Sequence, residues 1–356
     1  MTGAVASSSA LTGTIRLGTR RSALAQAQSG QVAKALEHAS GRRVELVPIT
    51  SEGDTNRASL SEIGGQGVFA TALREALLRG ECDLLVHSLK DLPTHVPAEL
   101  TIAAIPARAD ARDVAITRDG IALHELKGGS AIGTGSPRRI AQVHVRNPRL
   151  RTVDLRGNVD SRLKRVADGE LDAVILAAAG LGRLGAGGPD GGPLGDLQGE
   201  LLGLAEWPTA PGQGALAVET AADAPADLLQ ALAALDDEAT RIAVTAERAV
   251  LEGLDAGCQA PMAAHAVVEG DVLRIRAVVY APHDGWRIGL DIAEALDTRT
   301  LHEGYIHPNG SGNGADSADG ADPISAARRI GLSVAHRLLE RGAADLLPLP
   351  SPDGHD

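Results

Sequence analysis

The sequence predicts an α/β fold with a largely parallel sheet, and three observations carry that prediction. Apolar strand patterns alternate with helical stripes from residue 14 to residue 180. Helix-capping residues stand where stripes begin, as at Ser22 and at Ser136 followed by Pro137. The chain of 356 residues, 44% hydrophobic and 22% charged, is globular in composition and long enough for two or three domains.

The elements follow in order. "TIRLGT" (14–19) is a short strand, and the segment 22–40 carries Leu24, Ala27, Val32, Ala35 and Leu36 on one helical stripe behind the Ser22 cap. "RVELVPIT" returns as a strand, "VFATALREALLRG" as a helix ending at Gly80, and "CDLLVHS" as a buried strand. After "IPARADARD" a second unit begins with strands "DVAIT" and "SAIGT". Pro137 at the first position of the helix "SPRRIAQVHVR" costs nothing, since its missing N–H has no partner there. "LRTVDL", the helix "VDSRLKRVADG" and "LDAVILAAAG" complete this unit, and the glycine-rich residues 185–200 read as a loop. From residue 234 a third region follows: the helix "DEATRIAVTAERAVLEGL", a cysteine loop, strands such as "VLRIRAVVY", and a final helix "ISAARRIGLSVAHRLLERG". Residues 307–323 hold no core-forming side chains and read as a flexible insertion.

The core must be aliphatic, because Phe69, Trp207, Trp286, Tyr280 and Tyr305 are the only aromatic side chains. A net charge of -12 argues against general affinity for nucleic acid. The opening residues lack a basic n-region, and no run approaches the roughly 20 apolar residues of a membrane span, so a cytoplasmic protein with no membrane partner is expected. Cys82 and Cys258, in unrelated contexts, suit a reducing compartment. Lysine occurs only at positions 34, 90, 127 and 164, so positive charge is almost entirely guanidinium. Genomic base composition is one source of such a bias. A need for planar, bidentate carboxylate recognition is another.

Several arginines fall where strands give way to loops or helices: Arg20 and Arg21, Arg138 and Arg139, Arg156, and Arg183. Open α/β sheets bind ligands outside the carboxyl ends of their strands, and cations near helix N-termini oppose the dipole and so ask for an anionic partner. Any one of these arginines could be an ordinary solvated side chain; as a set they suggest a polyanion cleft. "HSLKDLP" places Lys90 and Asp91 at the end of an apolar strand. A simple ion pair between neighbours would explain them, and so would a carboxylate poised to stabilise a cation on the substrate. His87 reads as a hydrogen-bonded structural histidine. Cys82, opening an apolar strand, reads as core. Cys258 is either a small buried thiol in a turn or a nucleophile whose thiolate the arginines favour. No Ser-His-Asp arrangement, Walker loop or metal-ligand cluster is evident.

Taken together, "RLGTRRSALAQAQ", "GGQGVFATALREALL", "VHSLKDLPT", "IGTGSPRRIAQ", "DLRGNVDSRLKRV", "AVILAAAGLGRL", "APGQGALAVE" and "AERAVLEGLDAGCQAP" resemble the porphobilinogen deaminase (hydroxymethylbilane synthase) family, in that family's order, over residues 14–262. The resemblance implies two similar α/β domains like those of periplasmic binding proteins, a cleft between them, and a smaller α+β C-terminal domain. It implies domain boundaries at residues 1–106 with a return segment at 215–233, 107–214, and 234–356.

It further implies that Cys258 anchors a dipyrromethane cofactor through a thioether rather than acting at each turnover. The reaction implied joins four porphobilinogen units head to tail with loss of ammonia, then hydrolyses the linear tetrapyrrole from the retained primer. Asp91 matches the family's catalytic aspartate, which contacts pyrrole N–H groups, and Lys90 a lysine that contacts cofactor carboxylates. By motif position Arg138, Arg139, Arg156 and Arg162 would bind cofactor or chain carboxylates, with Thr134 and Ser136 assisting. Arg20, Ser22, Arg156, Arg183, Gln213 and Phe69 would line the substrate side. The small molecule porphobilinogen is the only partner implied, no metal is, and chain length suggests a monomer. One departure stands out: Glu62 and Gln66 occupy positions where many family members carry lysine, so a lysine-based lid role does not carry over. A non-catalytic organic-anion-binding protein and a cysteine acyltransferase are the readings from other classes.

Overall fold

The computed structural model describes residues 13–49, 68–185, 197–257, 260–282, 285–296 and 322–347, with side chains in the second segment from Ala70 onward. Cys258, Glu62 and Gln66 lie outside the described residues, as does the side chain of Phe69 and most of the loops expected at 51–66, 185–200 and 307–323. The chain divides into two compact units: Met1–His87, Val96–Pro106 and Leu216–Asp236 form one, and Ser88–His95, Ala107–Ala215 and Asp237–Asp356 the other.

The first unit is built on a five-stranded sheet of order β2-β1-β3-β10-β4. β1 (Ile15–Arg20) pairs in parallel with β2 (Val44–Ile49) and with β3 (Leu84–Ser88), whereas β10 (Leu216–Ala221) runs antiparallel to β4 (Leu100–Ala104). α1 (Ala23–Ser40) starts where expected, with the Ser22 hydroxyl accepting from the Ala25 N–H. It ends at Gly41, whose φ of 67° is the left-handed conformation a side chain disfavours. Leu17, Val32, Leu36 and Val218 pack on one face of the sheet together with Leu228 and Leu232 of α6 (Ala226–Ala233). On the other face Leu73 and Leu77 of α2 (Val68–Leu78) meet Ile49, Leu85 and Cys82, so Cys82 is core as expected.

The second unit holds two sheets. One has the order β7-β6-β8-β5-β9. In it β6 (Ala131–Gly133) is parallel to β7 (Arg151–Val153) and β8 (Ala173–Ala177). β5 (Asp113–Thr117) is antiparallel to both of its neighbours, β8 and β9 (Gln198–Leu202). Two expectations change here. The sheets are mixed rather than largely parallel, because β5 runs antiparallel to both of its neighbours and β10 antiparallel to β4. The loop expected over 185–200 ends sooner, since Gln198 onward pairs with β5 as a strand. "LDAVILAAAG" also divides, into β8 and the short helix α5 (Ala178–Arg183).

α3 (Pro137–Arg146) and α4 (Val159–Ala167) follow β6 and β7, capped by Ser136 and Asn158. The other sheet is the antiparallel meander β11 (Met262–Glu269), β12 (Val272–Tyr280), β13 (Arg287–Ala295). One face of it is covered by α7 (Glu238–Gly253) and α8 (Pro323–Glu340), joined by an aliphatic cluster including Val250, Ile275 and Val334. The fold class is thus α/β with two mixed sheets and a smaller α+β element at the C-terminal end.

The α7–α8 crossing depends on a glycine. A Cβ at Gly331 would fall on the Ala246 carbonyl oxygen and lie 2.6 Å from Ala249 Cβ, and backbone cannot swing aside as a side chain can. Gly331→Ala should therefore cost about 1–3 kcal/mol of stability by overpacking, despite alanine's better helix propensity. Urea unfolding of the purified variant measures it; an unchanged or raised midpoint would show that the helices separate freely.

Candidate functional site

The chemistry-bearing residues of the second unit gather at one edge of its mixed sheet, because each follows the C-terminal end of a parallel strand. β6 leads to Thr134, Ser136 and the α3 arginines, β7 to Arg156 and to Arg162 of α4, and β8 to Arg183 in the last turn of α5. Asp113 reaches this edge from the opposite direction: it opens the antiparallel β5, and its register partner is Ala177 at the end of β8.

Leu89–Asp91 form a single 3₁₀ turn directly after β3. Its position is fixed through backbone. The Leu89 N–H donates to Ala215 O at 3.1 Å, and Arg248 of α7 donates to the carbonyls of Leu89, Leu92 and Pro93 at 3.3, 2.9 and 2.6 Å. The neighbouring loop needs its glycines: Gly212 and Gly214 have φ of 74° and 90°, and a Cβ at Gly212 would meet Leu89 Cγ at 3.0 Å. In this setting Lys90 Nζ lies 3.4 Å from Gln213 Oε1, and burial pushes the Lys90 ammonium down to about 8. Asp91 is exposed.

Arg138 and Arg139 lie in the first turn of α3, where the helix dipole opposes them, and are only 3% and 6% exposed. Asp113, with no exposure at all, offsets both. Its Oδ2 accepts from Arg138 Nη2 (2.9 Å), Arg139 Nε (3.1 Å) and Trp207 Nε1 (2.9 Å). Its Oδ1 accepts from Arg139 Nη2 (2.6 Å) and Gln213 Nε2 (2.8 Å). Burial by itself would raise this carboxyl; the two guanidiniums hold it far below the ordinary carboxylate range. Arg138 Nη1 also donates to Gln142 Oε1 and Pro208 O, while its Nε is buried with no partner among the described residues.

The other expected residues are placed as follows. Thr134 Oγ1 accepts from the Ser136 N–H at 3.3 Å, and Ser136 Oγ caps α3. Arg156 is exposed and 3.4 Å from Asp154. Arg162 Nε donates to Gly157 O at 2.8 Å, and burial and then the charge of Arg139 lower its guanidinium. Arg183 Nη2 donates to Gly214 O at 2.7 Å, and burial lowers it to about 10. Lys90, Arg138, Arg139 and Gln213 thus share one centre, with Arg162 near enough to feel Arg139.

Arg20 and Ser22 belong to the first unit, at the end of β1 and the start of α1. There His87 is buried with Nε2 3.1 Å from Glu219 Oε2, and Glu219 also accepts from Arg74 Nη2 at 2.8 Å. A hydrogen-bonded structural histidine is what the sequence predicted. Asp113, Arg248 and Glu219 were not singled out in the sequence, and neither was Glu247, which accepts from Arg108 Nη1 (2.6 Å), Gly212 N (2.7 Å) and Ala266 N (2.7 Å). One signal was available for Asp113: the polar run "ARADARD" ends on an acid that opens an otherwise apolar strand.

Two family models match this chain. Residues 15–227 match the porphobilinogen deaminase, dipyromethane cofactor binding domain, and residues 241–294 the porphobilinogen deaminase C-terminal domain. The porphobilinogen deaminase of Leifsonia xyli is 49% identical over 340 residues, 95% of this chain and 95% of its own length. Porphobilinogen deaminase 1 of Streptomyces avermitilis is 54% identical over 74% of this chain and 83% of its own. Among solved structures, a Salmonella typhimurium periplasmic binding protein of high arginine specificity is 16% identical over 63% of this chain and 92% of its own, with a TM-score of 0.36. By its matches over both family models and nearly its whole length, the chain belongs to the porphobilinogen deaminase family.

Proposed function

We propose that this chain condenses four porphobilinogen molecules head to tail, with loss of ammonia at each addition, on a dipyrromethane held by Cys258 as a thioether, and hydrolyses the product free as hydroxymethylbilane for haem biosynthesis. The supporting observation is the convergence of Lys90, Arg138, Arg139 and Gln213 on one buried centre beside an exposed Asp91. The donor set fits a molecule rich in carboxylates. Among the described residues Lys90, Arg138 and Arg139 outnumber the buried carboxylate of Asp113, and Arg138 Nε is a buried donor with no partner. When bound, the dipyrromethane supplies a free pyrrole carbon as the nucleophile on which the chain is built.

The remaining chemistry belongs to the protein. Lys90, Arg138, Arg139, Arg156 and Arg162, with Thr134 and Ser136, hold the acetate and propionate groups of the cofactor and growing chain; Arg20, Ser22, Arg156, Arg183, Gln213 and Phe69 receive the incoming porphobilinogen. Loss of ammonia leaves positive charge on a pyrrole nitrogen, and the Asp91 carboxylate is the anion placed to stabilise it. Cys258 attaches its ligand once and then holds it. The three sheets support three domains, at residues 1–106 with the return 215–233, 107–214 and 234–356. The protein acts as a monomer on a small molecule in the cytoplasm. An organic-anion-binding protein without catalysis is not favoured, since the family's cofactor-binding domain covers residues 15–227.

Intact mass of the purified protein beside a Cys258→Ser variant tests the anchor. Wild type made in a porphobilinogen-producing host should carry the added mass of two pyrrole units, and the variant should not. Folded wild type of unmodified mass would overturn the assignment.

A second test is pH dependence. Lys90 binds carboxylates only while protonated, so kcat/KM should fall as pH rises through about 8. The same depression means the native state releases this proton before the unfolded chain does. The group's contribution to stability therefore increases as pH climbs from about 8 toward the ordinary lysine value. In Lys90→Met the alkaline limb should be absent from the pH–rate profile; a limb that survives belongs to another group.

A further inference from the structure

We infer that Asp113 is the positioning residue of the carboxylate-binding cluster: its buried side chain aims Arg138 and Arg139 and, through Gln213, holds Lys90 on the same centre. The inference rests on reading those cations as the hold on pyrrole carboxylates. Asp113 cannot itself be the catalytic acid or base, since it is fully buried and both of its oxygens are already bonded to protein donors.

Its bonds are distributed in a way that sets direction. The Arg139 Nε and Nη2 groups donate to separate oxygens of the one carboxylate, a fork that fixes the plane of the guanidinium. Arg139 Nη1 is held by Ile175 O at 3.0 Å, so the side chain is tied at both ends. Arg138 is tied in a similar way, between Asp113 and the Gln142–Pro208 pair, with Gln142 steadied in turn by Tyr280 Oη at 3.0 Å. Gln213 has its amide nitrogen committed to Asp113 Oδ1 and Ala111 O, which leaves its oxygen turned toward Lys90. The amide orientation at Gln213 is thus dictated by an acid that never meets the ligand. Trp207 donates to the same carboxylate from the hydrophobic core, tying it to the rigid part of the sheet.

The charge balance points the same way. Arg138 and Arg139 share the buried anion Asp113, and Lys90 feels both that anion and, more strongly, its exposed neighbour Asp91; a neutral side chain at position 113 would leave two buried guanidiniums repelling one another and Lys90 with Asp91 alone against them in a poorly screened space. Repulsion would spread the guanidiniums and favour loss of the Lys90 proton at lower pH.

Two variants test this. Asp113→Asn keeps the shape and removes the charge; Trp207→Phe keeps the charge and removes one neutral donor to Oδ2. Each is purified as made in a porphobilinogen-producing host and followed by thermal melting, by intact mass for the fraction carrying the primer, and by pH–rate profiles. For Asp113→Asn the primer-bearing fraction should drop about fivefold or more, KM should rise about tenfold, and the alkaline limb of kcat/KM should move about one pH unit toward acid. For Trp207→Phe the limb should stay in place while KM rises about threefold. Lowered melting with KM, limb and primer fraction all unchanged would make Asp113 a purely structural acid and overturn the proposal. If Asp113→Asn fails to fold, an unchanged KM in folded Trp207→Phe overturns it equally. Wild type without primer or turnover would instead remove the functional reading, and the proposal with it, before any variant is compared.

Discussion

Like charges packed into a dry place repel, and one buried carboxylate makes that packing possible here. Arg138 and Arg139 stand in the first turn of a helix, where the dipole already opposes them, and Lys90 lies close enough to share their field. Without Asp113 the two guanidiniums would lose their buried counter-charge, and Lys90 would keep the exposed Asp91. Breaking a buried pair of this kind by removing one partner costs about 3–5 kcal/mol, whereas an apolar replacement of the whole cluster is often neutral or stabilising. Stability is therefore a poor explanation for its presence. The function proposed above gives a better one, since donors that are already oriented need not reorganise when a polycarboxylate arrives.

The same device recurs twice, each time joining segments distant in sequence. Glu219 in the first unit, fully buried on β10, receives Arg74 from α2 and His87 from the end of β3, immediately before the turn that carries Lys90 and Asp91. Glu247 in the second unit, also fully buried, receives Arg108, the Gly212 N–H and the Ala266 N–H, which ties α7, the glycine loop and β11 together. α7 leads into the cysteine loop, and β11 leaves it. In a core almost without aromatic side chains, aliphatic packing specifies shape loosely, and these satisfied acids specify which loop meets which helix.

Much of this was legible in the sequence because it is local. Ser22 and Ser136–Pro137 cap helices by rules acting within one turn, and the alternation of apolar runs marks most strands without reference to any long-range contact. Arg20, Arg138, Arg139, Arg156 and Arg183 were found by the same local logic, as cations just past strand ends, whereas Arg162 came only from the family resemblance. The rest is non-local. β5 runs antiparallel, so its first residue lies beside the last residue of β8, and no pattern within "RDVAIT" reveals that direction. Strand-end reasoning looks at carboxyl ends and passes over Asp113 for that reason. Glu247 and Arg248 are hidden in another way: both sit within an amphipathic helix where a charged residue ordinarily means a solvated face.

The division between lysine and arginine at the site has a physical meaning of its own. Guanidiniums keep their charge through any physiological pH, and even Arg183, lowered to about 10, stays protonated near neutrality. In the function proposed above they would form a permanent field for a ligand that gains carboxylates as it grows. Lys90 differs because burial brings its ammonium to about 8, where charge depends on the neighbours present. A carboxylate placed against it raises its proton affinity, and a vacated position lowers it again. The charge of the ammonium that follows Leu89 is therefore sensitive to its neighbours while that of the arginines is not, and Asp91 beside it is exposed. Two side-chain chemistries, one permanently charged and one titratable, thus share the field of one buried acid.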